Sequence, residues 1–158
     1  MTDFTHLDGE GRVRMVDVTD KPATDRRAVA EGLVRMSPLT LNKITGREIK
    51  KGNVLETARI AGVMAAKNTA SLIPMCHPLC LTYAAVDFFP DESSSSLRIV
   101  AEVRVKGETG VEMEAMTAVS VAALTIYDMC KSHDRTMSFH DIRLVEKSGG
   151  RSGHFKRD

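Results

Sequence analysis

The chain has 158 residues, enough for one domain that buries roughly two thirds of the surface its unfolded form exposes. Its 42% apolar and 27% charged residues are the balance of a folded globular protein and exclude a disordered one. A formal charge of +1 gives the whole molecule no strong pull toward nucleic acid or an anionic membrane, and 4% aromatics with no Trp argue against a stacking platform for single strands.

Any hold on a polyanion must therefore come from a local cluster of cations. Three cysteines, Cys76, Cys80 and Cys130, are too few and too oddly numbered for a disulfide framework. The start of the chain is polar and acidic, without a basic stretch leading into an apolar one. The longest charge-free run, Asn68 to Val86, is broken by two prolines. A cytoplasmic protein with no membrane or nucleic-acid partner is the expectation.

In chain order, residues 1–12 read as a mobile lead-in. Arg27 to Met36 reads as a strand, although its alanines would also suit a helix. Ser37-Pro38 starts a short helix, with Ser37 as N-cap and Pro38 at the first helical position, and Gly46 stops it. Asn53, with Glu56 three residues on, opens a longer helix. Glu56, Arg59, Val63 and Lys67 form its narrow polar stripe, and the rest of that helix is expected to be buried. Pro74 and Pro78 bracket a rigid turn, Met75-Cys76-His77. Leu81 to Phe89 and Leu97 to Lys106 read as a hairpin, the second half alternating apolar and charged residues.

A third helix spans about Val111 to Lys131, followed by a strand over Ser138 to Lys147 and a Gly-rich basic tail over 148–158. The order βααββαβ fits a single α+β domain, a split β-α-β arrangement whose antiparallel sheet is covered by helices on one face. From Ala115 to Tyr127 the third helix carries no charge. A helix apolar all round must be covered all round, and the sheet covers one side only. A second subunit is the simplest cover for the other, so a homo-oligomer is expected. Glu114 and Asp128 stand at opposite ends of this helix, fourteen residues and about 21 Å apart. If both ends act, two chains must meet at one site.

Each chemical candidate also has an ordinary reading. Glu112 fits a capping box with Thr109, and Glu114 fits a solvated carboxylate. Asp128 and Lys131 fit a helix-end pair, although together they can exchange a proton or stabilise an anion. His77 fits a turn histidine bonded to backbone. Lys51, just before a helix start, fits either an exposed loop cation or a phosphate seat. Cys76, His77, Cys80, Cys130 and His133 lack regular zinc spacing, and nothing marks a thiol as activated. No metal site is expected. The tail, with Lys147, Arg151 and Lys156, either frays or closes over phosphates.

Eight strings in order decide between these alternatives. They are Phe4-Thr-His-Leu-Asp8, Met15-Val-Asp-Val18, Lys51-Gly-Asn-Val54, Thr57-Ala-Arg-Ile-Ala-Gly62, Leu72-Ile-Pro-Met-Cys-His-Pro-Leu79, Thr109-Gly-Val-Glu-Met-Glu-Ala115, Ala122-Ala-Leu-Thr-Ile-Tyr-Asp-Met-Cys-Lys131 and Lys147-Ser-Gly-Gly-Arg-Ser-Gly153. Together they resemble the MoaC family of molybdenum cofactor biosynthesis, the cyclic pyranopterin monophosphate synthases. The resemblance implies a ferredoxin-like fold and a homohexamer built from dimers, with sites between subunits. The implied reaction turns a cyclised dihydroguanosine triphosphate, supplied by a radical enzyme, into cyclic pyranopterin monophosphate and pyrophosphate. No metal or organic cofactor is implied. It assigns Asp128, Lys131 and Lys51 to catalysis, and Met75, Cys76, His77, Met113 and Glu114 to substrate binding. Glu112, Lys67, Lys147 and Lys156 stand around the site. Glu108 and Asn68 depart from the family pattern, and Glu108 would weaken phosphate binding if it faced the site.

Overall fold

The computed structural model describes residues 6–158; Phe4, Thr5 and the beginning of the expected lead-in lie outside the described residues. Five strands, β1 (Thr24–Arg35), β2 (Tyr83–Asp91), β3 (Ser96–Gly107), β4 (Ser138–Ser148) and β5 (Phe155–Lys156), form one sheet in the order β2-β3-β1-β4-β5. Every neighbouring pair is antiparallel. Among the described residues four helices, α1 (Pro38–Thr45), α2 (Val54–Lys67), α3 (Thr69–Leu72) and α4 (Glu112–Cys130), complete an α+β ferredoxin-like fold.

Alternation along the strands sets which face meets the helices. Ala28, Ala30 and Val34 of β1 and Leu97, Ile99, Ala101, Val103 and Val105 of β3 are buried in the core beneath α2 and α4. On the other face Arg27 pairs with Glu102 and Glu146, both at 2.9 Å, and Glu31 pairs with Arg143 at 2.8 Å. These cross-strand pairs hold β3, β1 and β4 in register on a solvated surface.

Two helix starts follow their sequence signals. The Ser37 hydroxyl accepts from the Thr40 N–H, and the Asn53 side chain accepts from the Glu56 N–H. The third helix departs from expectation. Val111 is the N-cap of α4 and offers no side-chain acceptor, so the capping box of Thr109 and Glu112 does not form. The cover of α4 also differs from the simplest expectation, because α2 of the same chain packs along it. At Gly62 the two helices approach so closely that a Cβ would sit 2.9 Å from Val86 Cγ2 and 3.0 Å from the Ala118 carbonyl. By length and composition α4 could cross a membrane, but here it is the core helix between α2 and the sheet.

In turn α2 is less buried than expected: Ile60 is 61% and Met64 58% exposed, opposite the face that meets α4. Two elements lacked a sequence signal strong enough to read. The single turn α3 follows Asn68, and β5 folds the tail back so that Lys156 lies opposite Glu146 and Phe155 opposite Lys147.

Candidate active site

Two groups of side chains gather at opposite ends of α4. At its C-terminal end the loop after α1 carries Lys51 to the helix, where Lys51 Nζ donates to the Asp128 carbonyl at 2.9 Å. Lys131 Nζ donates to Asp128 Oδ1 at 2.6 Å, one turn along the same helix. The Lys131 ammonium, with Lys51 adding to it, holds the Asp128 carboxyl below its usual range. An ionised acceptor thus stands in solvent beside two cations. Lys51, Asp128 and Lys131 belong to one cluster of one chain.

Beyond the start of α4 lies a groove of about 430 Å³, lined by Met75, Cys76, His77, Glu112, Met113 and Glu114 together with His6, Val16, Val18 and Lys21. The proline-bracketed turn supplies one wall and the first turn of α4 the other. His77 Nε2 is 2.7 Å from the Val16 carbonyl, so the backbone bond expected of a turn histidine does form, and it joins that turn to the irregular segment ahead of β1.

Glu114 overturns its solvated reading. It is 4% exposed, and burial, with Glu112 close by, pushes its carboxyl up to about 7. Near neutral pH it is therefore divided between acid and carboxylate, which suits a group that donates or accepts a proton. Lys67, at the end of α2, reaches the same place from behind, where it lines a smaller cavity shared with His77 and Glu114.

A basic cleft of about 330 Å³ continues from this groove through Lys21, Thr109, Gly110 and Glu112. Its cations are Lys21, Arg26, Arg27, Lys147 and Arg151. Arg27 is held by its two glutamates, and Lys147 lies 3.1 Å from Glu112 and 2.6 Å from the Ser152 hydroxyl. Arg26 donates to the Gly107 and Glu108 carbonyls and packs against Gly149 and Gly150, so it fixes both rims of the cleft. Among the described residues Lys21 and Arg151 enter no ion pair, which leaves their charge for a ligand. Glu108 lines the cleft as well, a carboxylate at the rim of a cationic site. Lys156 stands outside both cavities, exposed on β5.

Cys76 and Cys130 are not activated as thiolates. Burial pushes Cys76 up, and it pushes Cys130 up to about 11. Among the described residues no three His, Cys, Asp or Glu side chains are grouped to hold a metal ion.

The geometry is that of a ferredoxin-like domain with a cationic cleft, an adjoining half-apolar groove and a separate Asp–Lys cluster. A profile of the MoaC family matches residues 15–150. The cyclic pyranopterin monophosphate synthase of Desulforapulum autotrophicum is 65% identical over 158 residues, covering 100% of this chain and 97% of its own. That of Desulfatibacillum aliphaticivorans is 64% identical over 155 residues, 98% of each chain, and that of Roseiflexus sp. strain RS-1 is 61% identical over 158, 100% of each. The chain belongs to the MoaC family.

Sequence reading missed Lys21 and Arg26. Their signal was faint: one cation just ahead of β1 and one near its beginning, with nothing local to join them to the distant tail.

Proposed function

We propose that this chain is a cyclic pyranopterin monophosphate synthase, a lyase that converts (8S)-3',8-cyclo-7,8-dihydroguanosine 5'-triphosphate to cyclic pyranopterin monophosphate and pyrophosphate in molybdenum cofactor biosynthesis. The observation that carries the reading is the end-to-end match to synthases of that name at 61–65% identity. The geometry supplies matching parts. Lys21, Arg26, Lys147 and Arg151 seat the triphosphate and stabilise the charge of departing pyrophosphate. The groove of Met75–His77 and Met113–Glu114 holds the ring system, and Glu114 is poised to move a proton there. Lys51, Asp128 and Lys131 provide the acid–base groups that open the aminal and promote ring rebuilding. The substrate comes from a radical enzyme acting on GTP, and the reaction runs in the cytoplasm.

The working unit is a homo-oligomer, a hexamer of three dimers. About 21 Å of helix separates Glu114 from Asp128, so one small substrate cannot bridge both ends within a chain. Met113, Ser120, Leu124 and Lys131 share the outward stripe of α4, and Leu124 is 56% exposed. A second copy running antiparallel along that stripe sets the Asp–Lys cluster of one chain beside the groove of the other. Incubating purified protein with the cyclised triphosphate and assaying both pyrophosphate and pterin tests the activity. Absence of both products, where a known synthase makes them, contradicts it. Lys51→Ala and Asp128→Ala each abolish turnover while the assembly stays intact.

A further inference from the structure

Lys51 has one polar partner among the described residues, the uncharged carbonyl of Asp128, so its place depends on what holds the segment that carries it. That segment runs from Ser37 through α1 and the following loop, where Ile49 is buried. Its beginning is tied to the end of α4 by an ionised side chain. Asp134, 7% exposed, accepts from the Ser37 N–H at 2.8 Å through Oδ2. Through Oδ1 it accepts from the Thr136 N–H at 2.9 Å and from the Thr136 hydroxyl at 2.7 Å. No cation pairs with it among the described residues; its charge is satisfied by these donors and by the start of α1, whose dipole favours an anion there. The same carboxylate sits on the turn that follows Lys131, where the Asp134 N–H returns to the Cys130 carbonyl. The Cys130 thiol lies within the influence of both Lys51 and Asp134, which places the tie beside the cluster.

From this geometry we infer that Asp134 is a positioning residue, a clamp between the start of α1 and the last turn of α4 that holds Lys51 and Lys131 at their working separation around Asp128. The inference rests on the catalytic reading of that cluster. Asp134 touches no reacting atom; it acts through Lys51. Its ionised state persists at any working pH, since the Ser37 N–H and the Thr136 donors lower its carboxyl to about 2.

The test is steady-state kinetics of Asp134→Asn, which presents an NH2 where one of the two chain segments needs an acceptor. The expected result is a fall in kcat of about tenfold with KM within about twofold, because the clamp acts on the acid–base cluster and on none of the side chains that seat the substrate. In a Lys51→Arg background the same substitution lowers kcat by less than about twofold, because a clamp acting through Lys51 has nothing further to lose. An unchanged kcat, equal changes in kcat and KM, or a loss that multiplies with that of Lys51→Arg overturns the inference. If Asp134→Asn does not fold, Thr136→Val removes a single donor and is held to the same split at a smaller size. An active Lys51→Ala protein refutes the catalytic reading itself, whereas an inactive one beside a normal Asp134→Asn refutes only the clamp.

Discussion

Replacing Glu114 by Gln tests the buried carboxyl at the heart of the groove. An ordinary glutamate titrates near 4.5, and this one is raised to about 7 because burial penalises its charged form. The folded protein therefore holds the proton more tightly than the unfolded chain. Below pH 4.5 both states are protonated and nothing is lost. From there through about pH 7 the unfolded chain ionises while the folded one resists, so stability falls as pH rises. At about 1.4 kcal/mol for each tenfold in proton affinity, the full penalty is about 3 kcal/mol, of which about 2.5 kcal/mol accrues between pH 5 and pH 8. Glutamine keeps the shape and carries no proton to lose. Urea unfolding of both proteins at fixed chain concentration, from pH 5 to pH 8, should show the variant gaining that difference on the wild type. Two stability curves that stay parallel across the window refute the burial argument.

Gly150→Ala tests the rim of the cleft. Gly150 has φ +75°, and an added Cβ would overlap the Arg26 guanidinium. The expected outcome is Arg26 displaced and KM raised about tenfold, with about 1 kcal/mol lost in stability from the left-handed backbone. An unchanged KM would separate Arg26 from phosphate binding. Leu124→Asp places a charge on the outward stripe of α4; light scattering should then find smaller assemblies with unchanged far-ultraviolet circular dichroism. Full-sized oligomers would remove that stripe from the interface.

The parts of the fold legible in the sequence are those with a local cause. The alternation of Leu97 to Val105, the Ser37-Pro38 start and the Asn53 cap each rest on neighbours within a few residues, and each stands where expected. Residues whose surroundings come from far along the chain were read less well. Thr109 and Glu112 have capping-box spacing, yet Glu112 instead faces Lys147 from β4, a pairing with no local signature. Glu114 reads as solvated from its helix position, yet it is buried where the His77 turn and the segment around Val16, both distant in sequence, line the same groove. The charge-free middle of α4 called for cover from another subunit, but small residues on α2, Gly62 above all, let a helix of the same chain supply most of it. The grouping of Lys51 with Asp128 and Lys131 came from the family resemblance; spacing alone does not bring residue 51 to residue 128.

Mixing inactive chains addresses most directly whether a complete site takes its two ends from two copies. Lys51→Ala chains keep an intact cleft, and Lys147→Ala chains keep an intact Asp–Lys cluster. In randomly reassembled dimers, half are mixed and each mixed dimer holds one whole site, so activity should return to about one quarter of wild type. Lys51→Ala mixed with Asp128→Ala should stay inactive, because both lesions fall in the same half. No recovery in the first mixture, with mixed oligomers verified by mass spectrometry, would contradict a site shared between chains.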